Sequence, residues 1–255
     1  MVMASSLLVS APEGLYCPTG DFFVDPVRPV RRALITHGHS DHARAGHGAV
    51  LATAETLGIM ALRYGAQFAG TQQPVRLGEV LRIGEAEVSF HPAGHVLGSA
   101  QVAIGNTRER IVVSGDYKRA ADPTCPPFEV VPCDIFITEA TFGLPIFHHP
   151  DAGEEVGKLI ASLRLFPERT HMVGAYTLGK AQRLMALIRQ AGWDRPVYIH
   201  GAAEKITDFY IAHGIDLGEI RKVADAGKTK LPGEIVICPP TSLADAWSRR
   251  FADPV

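Results

Sequence analysis

Cysteine is scarce in this chain. The four present among 255 residues, Cys17, Cys125, Cys133 and Cys238, form no CxxC pair and are too sparse for a disulfide scaffold. They read as small apolar fillers of a protein kept in a reducing cytoplasm. No apolar run approaches the length of a membrane span. Leu7, Leu8 and Val9 form a short apolar patch near the start, but no basic segment precedes it and no small-residue cleavage site follows, so a secretory signal is not expected. Positive charge is not in excess either: the net charge of −2 lacks the signature of a dedicated nucleic-acid-binding domain. One local exception runs from Lys158 to Arg195, where seven Lys and Arg face only Glu168 and Asp194. No internal repeat or low-complexity segment occurs. What remains is a 46% hydrophobic sequence, enough for the core of one large domain or two modest ones.

The chain has two grammars. From Leu15 to Gly115 short apolar runs alternate with Gly, Pro and Asn punctuation: LYC, FFVD, ALIT, AVLAT, VRL, EVLRI, EVSFHPA, AQVAIG and RIVVSGD. These read as strands of a sandwich, with GNT at 105–107 as a hairpin turn. After Thr53, a plausible N-cap, Leu57, Met60, Ala61 and Tyr64 recur at helical spacing. Strands with helices outside them predict a layered α+β sandwich. After Gly143, helical patterns at 154–165, 178–191 and 203–212 alternate with the apolar runs HMVGAY, VYIHG and EIVICPP, predicting a small parallel-sheet α/β unit. The division is therefore placed at 1–143 and 144–255.

The densest chemistry lies between His37 and His42, where HGHSDH follows the buried-strand pattern Ala33, Leu34, Ile35. His37 and His39, one residue apart, can point to the same side of an extended loop, while Asp41 and His42 follow where the chain turns. One ion can take the first pair and a second ion the other. Imidazole with carboxylate suits Zn²⁺ and tolerates Mn²⁺ or Fe²⁺, and the lack of nearby Cys argues against a closed structural zinc. Open coordination positions imply catalysis.

Further ligands are expected at other strand ends. His95 sits in HPAGHVLGSAQ, where Gly94 and Gly98 permit tight backbone near an ion, and Asp116 follows IVVSG, placed to bridge two ions. Asp25, ending FFVD, and Glu139, ending IFITE, are candidates to accept the second ring nitrogens of ligating histidines, Asp25 above all. His47, His148 and His149 read as surface groups, and His91 as a neighbour of the site or a strand residue.

These motifs resemble the metallo-β-lactamase superfamily and, within it, the β-CASP nucleases. HGHSDH matches the superfamily's HxHxDH motif, Asp25 its first aspartate, His95 its third-motif histidine and Asp116 its bridging aspartate. TEATFG at 138–143 resembles β-CASP motif A, with Glu139 as its acid. GAYTLGKAQRL at 174–184 resembles the segment opening the β-CASP insert in DNA-repair nucleases of the Artemis type and in the RNA 3′-end-processing endonuclease, and residues 14–48 resemble bacterial DNA-ligase-associated exonucleases more closely still. The resemblance implies an αββα sandwich with an α/β β-CASP domain and two divalent ions, zinc or manganese. His37, His39 and His95 would hold one ion, Asp41 and His42 the other, and Asp116 both.

The implied activity is phosphodiester hydrolysis on DNA, with RNA as the variant substrate, by a DNA-repair exonuclease associated with ligase and helicase and with no membrane partner. Asp25, Asp41, Asp116 and Glu139 carry the implied catalytic roles. Thr177, Gly179 and Lys180, where the loop after HMVGAY enters a helix, would offer free N–H groups and an ammonium to a DNA phosphate. The chain ends at Val255, after SRRFADPV, without the two later histidine motifs of such nucleases. On that reading the C-terminal return segment is missing and the second ion lacks one protein ligand. Two other functions share parts of this pattern: a thioesterase- or lactonase-type metallo-hydrolase, and a catalytically weak nucleic-acid-binding protein.

Overall fold

Residues 7–255 are described by a computed structural model, and the chain divides into two compact units, Met1–Phe142 and Gly143–Val255. In the first unit two sheets pack face to face. One has six strands in sequence order: β1 (Val9–Ala11), β2 (Gly14–Cys17), β3 (Phe22–Val24), β4 (Arg32–Leu34), β5 (His47–Thr53) and β6 (Ala69–Val75). β1 to β3 pair antiparallel and β3 to β6 parallel. The other sheet has the order β11-β10-β9-β8-β7, built from β7 (Val80–Ile83), β8 (Ala86–Pro92), β9 (Ala100–Gly105), β10 (Arg110–Val113) and β11 (Ile135–Ile137).

Alternation along these strands sends Phe22, Val24, Leu34 and Leu51 from one sheet against Val88, Phe90, Val102, Ile104 and Ile111 from the other. Each such large side chain taken fully out of water contributes about 1.5–3 kcal/mol. The outer face of the six-stranded sheet, Ala33, Ile35, Val50 and Ala52, is covered by Leu57 and Met60 of helix α1 (Ala54–Tyr64). The helix starts where expected because the Thr53 hydroxyl accepts the Thr56 N–H at 3.2 Å. The expected hairpin is present too: Asn106 N–H donates to the Glu109 carbonyl between β9 and β10.

Two strands escape the sequence pattern. β1 and β6 are the sheet's edges, and β6, AGTQQPV, is largely exposed and contains Pro74. An edge strand needs no apolar alternation and tolerates proline, so its sequence carries no readable signal.

The second unit is the expected parallel α/β element. Its sheet has the order β12-β15-β13-β14, all neighbours parallel, from β12 (His171–Gly174), β13 (Val197–Ile199), β14 (Ile220–Lys222) and β15 (Ile235–Cys238). The fully buried β15, IVIC, has the unbroken apolar run of a central parallel strand. The edge strand β14, IRK, does not, and had no counterpart in the sequence reading. The helices are α2 (Ala152–Leu165), capped by the Asp151 carboxylate, α3 (Lys180–Gln190) and α4 (Glu204–Ala212). Among the described residues no helix is long and apolar enough to cross a membrane.

Candidate metal centre

The site grows from strand ends of both sheets of the first unit. Asp25 directly follows β3, His37 lies just beyond β4, His95 lies in the loop between β8 and β9, and Asp116 lies just beyond β10. The two sheets are tied at this edge by the Ala100 N–H, which donates to the Thr36 carbonyl at 2.8 Å. After His37 the chain folds over, with the His42 and Ala43 N–H groups both donating to the His39 carbonyl.

One ligand atom each from His37, His39, His95 and Asp116 lies within 4.8 Å of the others. His37 Nε2 is 3.0 Å from His39 Nδ1, and His95 Nε2 is 3.2 Å from the same atom. Burial, followed by the charges of neighbouring histidines, holds His37 well below the ordinary imidazole value. Burial, followed by the His39 charge, pushes His95 down to about 4. Both rings are therefore neutral at pH 7, with a lone pair free for a cation. Three imidazole nitrogens and a carboxylate oxygen converging on one point are a donor set that fits Zn²⁺ or Mn²⁺.

A second group abuts the first through Asp116. His42 Nε2 lies 3.3 Å from Asp116 Oδ1 and 3.8 Å from Asp41 Oδ2, while His42 Nδ1 lies 2.8 Å from Asp25 Oδ2. Burial alone would lower the His42 pKa, but hydrogen bonding to Asp116 and Asp25 and their charges push it up to about 10. The Asp116 carboxyl is lowered in turn, first by its bond to His42. Asp41 is mostly exposed, its side chain 74% accessible, so it sits at the mouth of the site rather than within the donor cluster.

Asp25 organises the whole. Its Oδ1 accepts the Thr36 N–H at 2.8 Å and its Oδ2 accepts the Thr36 hydroxyl at 2.6 Å, in addition to facing His42. Thr36 Oγ1 also lies 3.1 Å from His37 Nδ1, so one carboxylate orients two candidate ligands. Glu139 is close enough for its charge to raise the His95 pKa, and its carboxylate accepts the Thr141 N–H at 2.8 Å, but it is outside the donor cluster.

Several sequence expectations change here. Gly94 and Gly98 are indeed tight, with φ of +70° and +79°, but against protein. A Cβ on Gly94 would lie 2.4 Å from the Lys118 carbonyl, and one on Gly98 would lie 2.7 Å from Glu55 Cβ. His47 is buried rather than superficial, and its Nδ1 accepts the Val30 N–H. His91 lies 2.9 Å from both Ser89 Oγ and Glu129 Oε1, away from the donor cluster.

In the second unit the backbone groups expected to be free at the start of α3 are already used. Gly179 N–H donates to Gln182 Oε1, Lys180 N–H to the Leu178 carbonyl and Ala181 N–H to the Tyr176 carbonyl. The fully buried Gln182 also donates to the Thr177 carbonyl and to the Thr207 hydroxyl, which locks the loop. Of the proposed anion site, the Lys180 ammonium is what reaches outward, 5.1 Å from the centre of the Tyr176 ring. Thr36 carried no motif signal, because it acts through Asp25, 11 residues away, and the lock that Gln182 forms depends on Thr207, 25 residues away.

No protein-family model matches the chain. It is 30% identical over 257 aligned positions to a probable DNA ligase of Opitutus terrae, covering 95% of this chain and 24% of that protein. It is 34% identical over 136 positions to the endoribonuclease ysh1 of Emericella nidulans, covering 51% and 15% respectively. An uncharacterized protein in the lig 3′ region of Acidianus ambivalens is 29% identical over 147 positions, 55% of this chain and 99% of that one. The chain thus spans about a quarter, or less, of the length of the first two relatives. A solved structure of an Enterococcus faecalis protein of unknown function shares the fold at a TM-score of 0.52 and 13% identity, covering 81% of this chain and 58% of that one. With its two-sheet sandwich, parallel α/β unit, HGHSDH motif and these relatives, the chain belongs to the β-CASP group of the metallo-β-lactamase superfamily.

Proposed function

We propose that this chain carries a metal-dependent nuclease centre that hydrolyses phosphodiester bonds of DNA, as an exonuclease in DNA repair. The observation that carries the reading is the convergence of His37, His39, His95 and Asp116 within 4.8 Å, with Asp116 shared by the His42 group. His37, His39, His95 and Asp116 are assigned to one divalent ion, and Asp41, His42 and Asp116 to a second, with zinc preferred and manganese accepted. Divalent cations held there supply Lewis-acid stabilisation of phosphoryl charge and a water activated at neutral pH. Asp116 keeps a full negative charge between the two groups, and Asp25 fixes the His42 ring so that Nε2 faces inward. Glu139 adds negative charge beside His95. In this reading water is the attacking group, so no side chain of the cluster need act as a nucleophile.

In the α/β unit, taken to be the β-CASP domain, Lys180, with Thr177 beside it, is assigned to substrate phosphate through its ammonium, whereas Gly179, whose N–H is bonded to Gln182, drops out of the expected set. Relatives named as a DNA ligase and as a protein in the lig 3′ region support an association with ligase, while the association with a helicase rests on the family resemblance alone. The test is direct. Protein supplied with Zn²⁺ or Mn²⁺ should degrade 5′-phosphorylated single-stranded DNA, and both chelation and Asp116→Ala should abolish the activity. Turnover of thioesters or lactones alone would overturn the assignment, while preferential cleavage of RNA would replace the substrate and leave the chemistry.

A further inference from the structure

The two loops that carry the imidazole donors are far apart in sequence, His39 and His95 being 56 residues distant. Both are gripped by one helix. At its N-terminal end the hydroxyls of Thr53 and Thr56 donate to the Gly98 carbonyl at 2.7 and 3.0 Å. A Cβ at Gly98 would fall 2.7 Å from Glu55 Cβ and 2.8 Å from Thr56 N, so the loop is pressed onto the helix. Within that loop the Ser99 hydroxyl accepts the N–H groups of His95 and Val96, both at 3.1 Å, which passes the position of Gly98 on to His95.

At the other end Arg63 Nη1 donates to the Gly38 carbonyl at 2.7 Å, between the donors His37 and His39. The Tyr64 hydroxyl donates to the Ala43 carbonyl at 2.8 Å, directly after His42. Ile59 closes the gap: a Cβ on Gly38 would lie 2.6 Å from its Cγ2. The helix spans 11 residues, about 16 Å, and is fixed to the sheet by Leu57 and Met60.

Donor atoms must be held to about half an ångström for tight metal binding, and loops alone do not hold that tolerance. We infer that helix α1 is a splint that sets the separation of the His37–His42 loop from the His95 loop, with Thr56, Arg63 and Tyr64 as positioning residues. The inference rests on the metal-centre reading. None of the three belongs to the donor cluster, so their effect travels through Gly38, Ala43 and Gly98.

Co²⁺ titration of the full chain, followed by visible d–d absorption, tests this, with thermal unfolding of the metal-free protein measured alongside. Thr56→Val and Arg63→Met should each weaken Co²⁺ binding about ten- to a hundredfold and alter the band shape, as loss of groups that orient ligands does elsewhere. Arg63→Lys, which keeps a donor for the Gly38 carbonyl, should recover most of the affinity. Tyr64→Phe removes only a hydroxyl from a partly exposed ring, so it folds and should show a smaller loss in the same direction. The Thr56→Val, Arg63→Met double variant should lose less than the product of the single losses, because freeing either end already releases the two loops from a common reference.

Wild-type affinity and spectrum in Thr56→Val, Arg63→Met and Tyr64→Phe would overturn the splint alone. Strictly multiplicative losses would do the same, since they mean two independent local contacts. A wild-type chain that takes up no Co²⁺ would overturn the metal-centre reading and the splint with it.

Discussion

Asp25 is the position where a one-atom substitution should separate stability from metal chemistry. Asp25→Ala would orphan the N–H of Thr36, a residue only 1% exposed, at roughly 1–3 kcal/mol, and leave its hydroxyl to His37 Nδ1. The backbone there has φ of +44°, which adds about 1 kcal/mol for alanine. The sum, roughly 2–4 kcal/mol, is a large part of the ~5–15 kcal/mol that holds a domain together, so the alanine variant is expected to be markedly destabilised.

Asp25→Asn is different. Asparagine tolerates positive φ, its Oδ1 still accepts the Thr36 N–H, and the Thr36 hydroxyl can turn to accept from the new amide. To take a cation, His42, held charged by Asp25 and Asp116, must give up its Nε2 proton and keep Nδ1–H on Asp25. Facing an N–H₂ instead, Nδ1 must be the acceptor and the remaining ring proton is held on Nε2, the nitrogen that points at Asp116 and Asp41. A protonated Nε2 cannot ligate. The expected outcome is a stability loss within about 2 kcal/mol together with a ten- to a hundredfold loss in metal affinity. Calorimetric titration with Zn²⁺ and urea unfolding of the metal-free protein measure the two separately. Wild-type affinity in Asp25→Asn, or an affinity loss that merely tracks the unfolded fraction, would refute the tautomer argument.

Three further outcomes are expected. Lys180→Ala should raise the apparent KM for 5′-phosphorylated single-stranded DNA several-fold more than for the 5′-hydroxyl form, and equal effects on both would remove the phosphate contact. Burial lowers the pKa of His171, whose Nε2 lies 2.9 Å from Ser162 Oγ, so its neutral form favours the folded state. Its stabilising contribution is then present above the unfolded value near 6.5 and shrinks as pH falls, by at most ~1.4 kcal/mol per pH unit; His171→Gln should flatten the slope of urea stability between pH 7 and 5, and an unchanged slope counts against it. Phe90→Ala, in the fully buried seam between the two sheets, should cost about 3–5 kcal/mol in urea unfolding; a loss under 1 kcal/mol would mean that the sheets do not share this core.

What could be read in the sequence was whatever is local. HGHSDH assembles donors within one turn of chain, and α1, the strands of both sheets and the parallel α/β pattern follow from spacing and apolar runs, which need only neighbours to be legible. Polar edge strands such as β6 and β14 gave no such signal, because an edge buries too little to impose a pattern. His95 and Asp116 had the right residue type at strand ends, but their meeting with His37 and His39 is a product of the two sheets packing together.

Tertiary structure alone decided how each group is used. The Gly179 N–H expected to face a phosphate is turned inward by Gln182, which lies within GAYTLGKAQRL but owes its buried orientation to Thr207, 25 residues away. Gly94 and Gly98 are small because backbone and a helix approach them. Amino-acid identity by itself thus determined which atoms can bind a cation. Where those atoms stand, and in which protonation state, was decided by burial and by hydrogen bonds to Asp25, Thr36 and α1, whose partners lie too far along the chain for any sequence window to connect.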